Sequence, residues 1–133
     1  MAAKPENTFR GKVHKHLPPS VYHMKTSNPY LGGVWDDYYE SPRGILWVEY
    51  KFVEKLPRIL TPNMSPLQLN WGKRLLSNGI PCAVCVGVGR GTGTQAVWLE
   101  DEAWATSIPR AELDLYTVTE IADVIAESIR MGG

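Results

Sequence analysis

The sequence predicts an α/β fold in which helices flank a mixed β-sheet, and three observations predict it. Amphipathic segments of helix length occur near the beginning, in the middle and at the end of the chain. A turn signal joins two strand-like segments between the first two helices. A continuous apolar run, residues 81–88, is typical of a strand covered on both faces. With 133 residues and 44% hydrophobic content, the chain is expected to form one domain over residues 1–133.

The first helix is predicted over residues 6–17, with Asn7 as its cap and a pair of prolines at its end. Apolar residues recur there at every fourth position: Phe9, Val13 and Leu17. Residues 21–24 suit a short strand. Two longer strands, 34–39 and 45–52, flank the turn sequence Ser-Pro-Arg-Gly, so we expect an antiparallel hairpin.

The second helix has a clear start signal. Ser65 is its predicted N-cap, Pro66 occupies the first helical position, and Gln68 completes a capping box. The helix should end near Asn78. Its predicted apolar face consists of Leu67, Trp71 and Leu75.

The last third of the chain predicts strands at 81–88 and 95–99, a further short strand at 104–108, and a closing helix at about 117–131. Thr117 and Glu120 form the capping box of that helix. Its apolar stripe consists of Ile121, Ile125 and Ile129. The stripe suits core packing, and a contact with a second copy of the chain is the alternative.

Composition excludes several classes of protein. No apolar stretch is long enough for a membrane helix, and the N-terminal residues lack the apolar core of a signal peptide. Two cysteines, Cys82 and Cys85, provide no disulfide framework and are expected to be buried apolar residues. The three histidines lack zinc-site spacing. We therefore expect a cytoplasmic protein.

The net charge of zero conceals a division of the chain. Residues 1–90 carry twelve Lys and Arg against six Asp and Glu, whereas residues 91–133 carry two against eight. The basic portion permits a polyanionic partner such as DNA. An accidental segregation of surface charge would give the same pattern.

The predicted hairpin contains the residues that most clearly suggest a catalytic site. Glu49 and Lys51 share one face of their strand, and the hairpin brings Asp36 beside Glu49. Two adjacent carboxylates resist joint ionisation unless a cation lies between them, and Mg²⁺ suits such a pair. A metal ion with a nearby lysine is suited to phosphodiester hydrolysis. Glu-x-Lys alone is a weak motif, since a solvated strand face has the same spacing.

In its wider context this pattern resembles the PD-(D/E)XK nuclease superfamily. The resemblance runs from Glu6 to about residue 88 and includes a Gly-x-x-Asp turn ending at Asp36, Glu49-Tyr50-Lys51, and Gln68 in the next helix. The family is restriction-endonuclease-like in fold and includes Holliday-junction resolvases and VRR-NUC nucleases. The chain looks most similar to its small phage-encoded endonucleases, which would place it in the host cytoplasm. Trp35 stands where the family usually has proline.

The resemblance implies roles for individual residues. Asp36 and Glu49 would bind Mg²⁺, for which Mn²⁺ would substitute, and Glu6 would complete the metal shell. Lys51 would orient the nucleophile and Gln68 would support the site. Favourable charge at a helix N-terminus is the alternative for Glu6, and a simple helix cap is the alternative for Gln68.

The function expected from these residues is metal-dependent DNA endonuclease activity. No base-reading module is recognisable, so a structure-selective enzyme acting on branched or nicked DNA is favoured, and a homodimer would cut two strands symmetrically. The alternative is a non-catalytic DNA-binding subunit with the same fold; an unrelated α/β protein is a second. The glycine-rich residues 87–93 suit a hairpin tip better than a phosphate cradle. Candidate contacts to the DNA backbone are Arg10, Lys12, Lys15, Lys55, Arg58, Lys73 and Arg74.

Overall fold

The computed structural model describes residues 4–26 and 32–130, in which three helices pack on two β-sheets. The helices are α1 (Pro5–His14), α2 (Pro66–Ser77) and α3 (Val118–Ser128). The strands are β1 (Tyr22–Lys25), β2 (Asp37–Ser41), β3 (Gly44–Val53), β4 (Ile59–Leu60), β5 (Cys82–Val88), β6 (Gln95–Glu100), β7 (Ile108–Pro109) and β8 (Tyr116–Thr117). Within the described ranges, no helix has both the length and the apolar character needed to cross a membrane.

The main sheet has six strands in the order β1-β2-β3-β5-β6-β8. Its pairs are antiparallel except β3 with β5, which are parallel and have α2 in the connection between them. This is the mixed sheet with flanking helices that the sequence predicts. The small second sheet pairs β4 with β7.

Each face of the main sheet carries its own hydrophobic core, because side chains alternate along a strand. The helices α1 and α3 cover one face, where Phe9 and Ile125 are buried in the same core as Tyr50. On the other face α2 packs on β5 and β6. Strand β5 contributes to both cores, with Cys85 in the first and Cys82 in the second. This explains its continuous apolar sequence and confirms that both thiols are buried and unpaired.

Local signals predicted the starts of α2 and α3 and the hairpin correctly. Both capping boxes form, Ser65 with Gln68 and Thr117 with Glu120. The hairpin is antiparallel, with Ser41 paired to Gly44 across the turn. The isoleucine stripe of α3 is buried in the core of this chain.

The first helix differs from its prediction at both ends. Lys4 is its N-cap and Asn7 lies inside it, because Pro5 has the fixed φ that suits a first helical position. The helix ends at His14, and the backbone continues through i to i+3 hydrogen bonds at His16 and Leu17. The closing helix also ends earlier than predicted, at Ser128. Likewise, β2 begins at Asp37 rather than at residue 34.

Two further predictions were wrong because tertiary packing overrides the local pattern. Trp104 lies in a short 3₁₀ turn, Ala103–Ala105, instead of a strand. Its buried ring packs edge-on against Trp35, with centroids 5.2 Å apart. Leu67 was expected on the apolar face of α2 but is 57% exposed. The first turn of α2 extends beyond the core that buries Leu75.

Candidate active site

Strand β3 places Glu49 and Lys51 on the same face of the sheet, as its alternation requires. The Glu49 carboxylate is almost fully buried, and the Lys51 side chain is partly exposed. Lys51 Nζ lies 3.3 Å from Glu49 Oε2. The strand therefore presents a buried acid with an ammonium group beside it.

Asp36, immediately before β2, is attached to β3 through two hydrogen bonds. Its backbone N–H donates to Glu49 Oε1 at 3.2 Å, and its Oδ2 accepts from the Tyr50 backbone N–H at 3.0 Å. The adjacent Asp37 lies in β2, is fully buried and forms an ion pair with Arg10. Of the two neighbouring aspartates, Asp36 is therefore the one that faces Glu49.

Gln68 joins the start of α2 to these residues. Its Oε1 accepts from the Ser65 backbone N–H at 3.1 Å and from Lys51 Nζ at 3.0 Å. Its Nε2 donates to Glu49 Oε2 at 3.0 Å. The side chain thus completes the capping box and also contacts the acid and the lysine of β3.

These residues line a cavity of about 390 Å³, together with Glu6 from α1. The loop before α2 adds Thr61 and Asn63, which the sequence analysis did not identify. That loop precedes the start signal of α2 by only a few residues, and this proximity was the one available indication. The cavity brings Glu6, Asp36, Glu49, Lys51 and Gln68 together.

The electrostatics of the cavity favour a bound cation. Burial, together with the nearby Asp36 carboxylate, raises the pKa of Glu49 to about 8, although Lys51 acts in the opposite direction. Within residues 4–26 and 32–130, no three His, Cys, Asp or Glu side chains are arranged as a ready-made metal site. Two carboxylates in a water-accessible cavity nevertheless fit Mg²⁺, which takes one or two carboxylates and retains several waters.

The predicted DNA contacts are distributed over several surfaces. Arg10 forms an ion pair with buried Asp37 on the face of the sheet opposite Glu49. Lys12 and Lys15 lie at the end of α1 and just after it. The remaining candidates are exposed, two in the loop after β3 and two on α2: Lys55, Arg58, Lys73 and Arg74. Arg74 also covers the Trp71 ring, with its guanidinium carbon 4.5 Å from the ring centroid.

The glycine-rich segment forms a hairpin tip between β5 and β6, with a 3₁₀ turn at Gly91–Gly93. It is therefore followed by a strand, as the sequence predicts. The histidines are separated from the cavity: His14 donates to or accepts from Tyr39 at 2.6 Å, and its ring packs against His23.

A scan against models of known protein families finds no match, and a search of curated proteins finds none. Among solved structures, the chain is similar to Hjc, a Holliday junction resolvase from the archaeal hyperthermophile Archaeoglobus fulgidus. The TM-score is 0.55 at 12% sequence identity, covering 90% of this chain and 97% of that one. The likeness extends over nearly the whole of both chains. It confirms the predicted α/β fold, in which helices flank a mixed sheet.

Proposed function

We propose that the chain is a metal-dependent DNA endonuclease that selects branched or nicked DNA by structure. The observation that carries this proposal is the hydrogen-bonded set of Asp36, Glu49, Lys51 and Gln68 in one cavity. The similar fold of a Holliday junction resolvase supports DNA as the substrate. In keeping with the sequence, the expected contacts are to backbone charge and shape rather than to base edges.

Asp36 and Glu49 are the proposed ligands of Mg²⁺, with Glu6 as a third group at the edge of the same cavity. Mn²⁺ should substitute, because it also accepts carboxylate and water ligands. When bound, the ion supplies a water of lowered pKa and neutralises charge on the phosphate. Without the ion, burial and the nearby Asp36 carboxylate disfavour the ionised form of Glu49.

Lys51 has two proposed tasks, which are to orient the attacking water and to stabilise the negative charge that develops on the phosphate. Its ammonium group reaches the cavity from β3 and donates to Gln68 Oε1. Gln68 in turn holds the Glu49 carboxylate through its Nε2. We assign Gln68 the role of positioning these two groups relative to each other.

Contacts to the DNA backbone are proposed for the exposed lysines and arginines, which include Lys73 and Arg74 on α2. Cleavage of two symmetry-related strands would require two copies of the site, so we propose a homodimer on branched DNA.

The test is cleavage of supercoiled plasmid and of a four-way junction at low salt, with Mg²⁺, Mn²⁺ or EDTA. The wild type should cut with either metal and not with EDTA. Glu49→Gln and Lys51→Ala should each lower the rate by at least about 100-fold. Glu127→Gln, the same change at an exposed position of α3, should leave the rate unchanged.

The outcomes separate the alternatives. A preference for the junction over linear duplex supports structure selectivity, whereas equal cutting overturns it. If the protein binds DNA but does not cut it with any of the metals tested, it is a DNA-binding subunit. A protein that neither binds nor cuts shares only the fold.

A further inference from the structure

Three neighbouring hollows that share lining residues follow one another from the candidate active site along α1. The cavity around Glu49 shares Phe52 with a hollow of about 70 Å³. That hollow shares Lys12 and Thr94 with a third one of about 450 Å³. We call the second and third hollows together the α1 groove, since they follow α1 towards its C-terminal end.

The walls of the α1 groove carry positive charge and hydroxyl groups. One wall contains Lys12, Lys15 and His16, and the other is the glycine-rich tip with Arg90 and Thr92. No acidic side chain is among the described residues that line it. Arg90 forms an ion pair with exposed Glu54, which lies outside this lining.

The basic groups of the α1 groove differ in whether they form hydrogen bonds within the protein. Lys12 Nζ donates to the Gly91 carbonyl at 2.9 Å and to Thr94 Oγ1 at 3.3 Å, which connects the two walls. Lys15 is exposed and makes no hydrogen bond or ion pair with the part of the chain that the structure describes. Its ammonium group is therefore available to an external anion.

We propose that the α1 groove binds the sugar–phosphate backbone of one DNA strand as it leaves the site of hydrolysis, an inference that rests on the proposed nuclease function. The ten residues of α1 span about 15 Å. A duplex whose axis runs over this length presents about four phosphates of one strand, at one phosphate per about 3.4 Å of helix axis. Lysines and hydroxyl groups are the usual partners of phosphates, and they act without regard to sequence.

The first test is the salt dependence of DNA binding, measured by fluorescence anisotropy in EDTA with a four-way junction. Lys12→Ala/Lys15→Ala should reduce the slope of log K against log salt by about 1.8, since each lost phosphate contact contributes about 0.9. The control is Arg43→Ala/Arg130→Ala, which removes two charges from the turn after β2 and the end of α3. The control should retain the wild-type slope.

Lys15→Glu provides a variant whose folding is not in question, because the side chain is exposed and unpaired within the described residues. It should weaken binding at low salt more than Arg130→Glu does. Equal effects of the two single variants, or an unchanged slope in the double variant, would overturn the groove proposal.

A second test maps the contact on the DNA. Methylphosphonates placed one at a time should weaken wild-type binding at about four consecutive phosphates on one side of the cleaved bond. Lys12→Ala/Lys15→Ala should lose sensitivity at the phosphates furthest from that bond. An interference pattern identical to that of the wild type would place the strand elsewhere.

The two proposals fail separately. Metal-dependent cleavage with an unaltered salt slope in the lysine variants would overturn the groove alone. Groove-dependent binding without cleavage under any metal would overturn the nuclease alone.

Discussion

At the scale of single residues, the charge of Glu49 depends strongly on its surroundings. It is 3% exposed, lies beside Asp36 and has a pKa raised to about 8. Lys51 and Gln68 both contact its Oε2. In the absence of a cation, the folded state therefore favours the protonated acid over most of the neutral range.

The pH dependence of stability should report this group in metal-free protein. Because the folded-state pKa exceeds the unfolded value of 4.5, the folded state binds the proton more tightly. This contribution is fully present below pH 4.5 and is lost as the pH rises through 8. Between pH 6 and pH 8 the free energy of unfolding should fall by on the order of 2 kcal/mol more in the wild type than in Glu49→Gln. Urea unfolding in EDTA measures the difference.

The same pair of proteins tests the cation. Mg²⁺ should raise the thermal midpoint of the wild type at pH 8 and leave that of Glu49→Gln nearly unchanged, because a bound ion relieves the repulsion between carboxylates. An equal shift in both proteins would locate the ion elsewhere.

Gln68 has two roles that a matched comparison separates. Both α2 and α3 begin with a capping box, and only that of α2 contacts the cavity. Gln68→Ala and Glu120→Ala should each lose about 1 kcal/mol of stability. Only Gln68→Ala should reduce kcat, because it also releases Lys51 and Glu49. Equal kcat in the two variants would make Gln68 a helix cap and nothing more.

At the scale of elements, α1 is fastened to β2 by the ion pair between Arg10 and Asp37. Asp37 is fully buried, and its Oδ1 has no hydrogen-bond partner among the described residues. Burial raises the pKa of Asp37, while the Arg10 guanidinium opposes that rise. The pair therefore depends on Arg10 for its charge balance.

Removing the Arg10 side chain should consequently affect the stability of the fold more than it affects DNA binding. Arg10→Ala leaves a buried carboxylate uncompensated and should cost about 3 kcal/mol, whereas Lys15→Ala should cost less than about 0.5 kcal/mol. Arg10→Met/Asp37→Asn should recover much of the loss. Chemical denaturation of the three variants measures this. A small loss in Arg10→Ala would indicate that Arg10 is instead available for DNA.

The helices α1 and α2 each contain a glycine with different surroundings. A Cβ at Gly11 would meet nothing within 4 Å, whereas a Cβ at Gly72 would lie 2.5 Å from the Trp104 ring. Gly11→Ala should stabilise the protein by about 0.5 to 1 kcal/mol through helix propensity. Gly72→Ala should destabilise it by about 1 to 3 kcal/mol through overpacking. Thermal unfolding measures both changes in stability. A stabilising Gly72→Ala would contradict the close packing of Trp35 and Trp104 against Gly72.

At the scale of the whole molecule, the features that sequence predicts are those encoded locally. The two capping boxes, the hairpin turn and the alternation that pairs Glu49 with Lys51 each lie within a few residues. The contacts that sequence did not reveal join distant segments. Trp35 with Trp104 and Arg10 with Asp37 are examples, and the buried Trp104 lies in a 3₁₀ turn where the local pattern predicts a strand.

The hydrogen bonds of the candidate site join residues that are close to each other in the sequence. Asp36 is 13 residues from Glu49, and Gln68 is 19 residues from Glu49. The attachment of α3 is a long-range contact, since Ser41 donates to the Ile129 carbonyl 88 positions away. Loop closure favours near contacts over distant ones during folding. We therefore expect Asp36, Glu49 and Gln68 to come together before the C-terminal helix docks on the opposite face of the sheet.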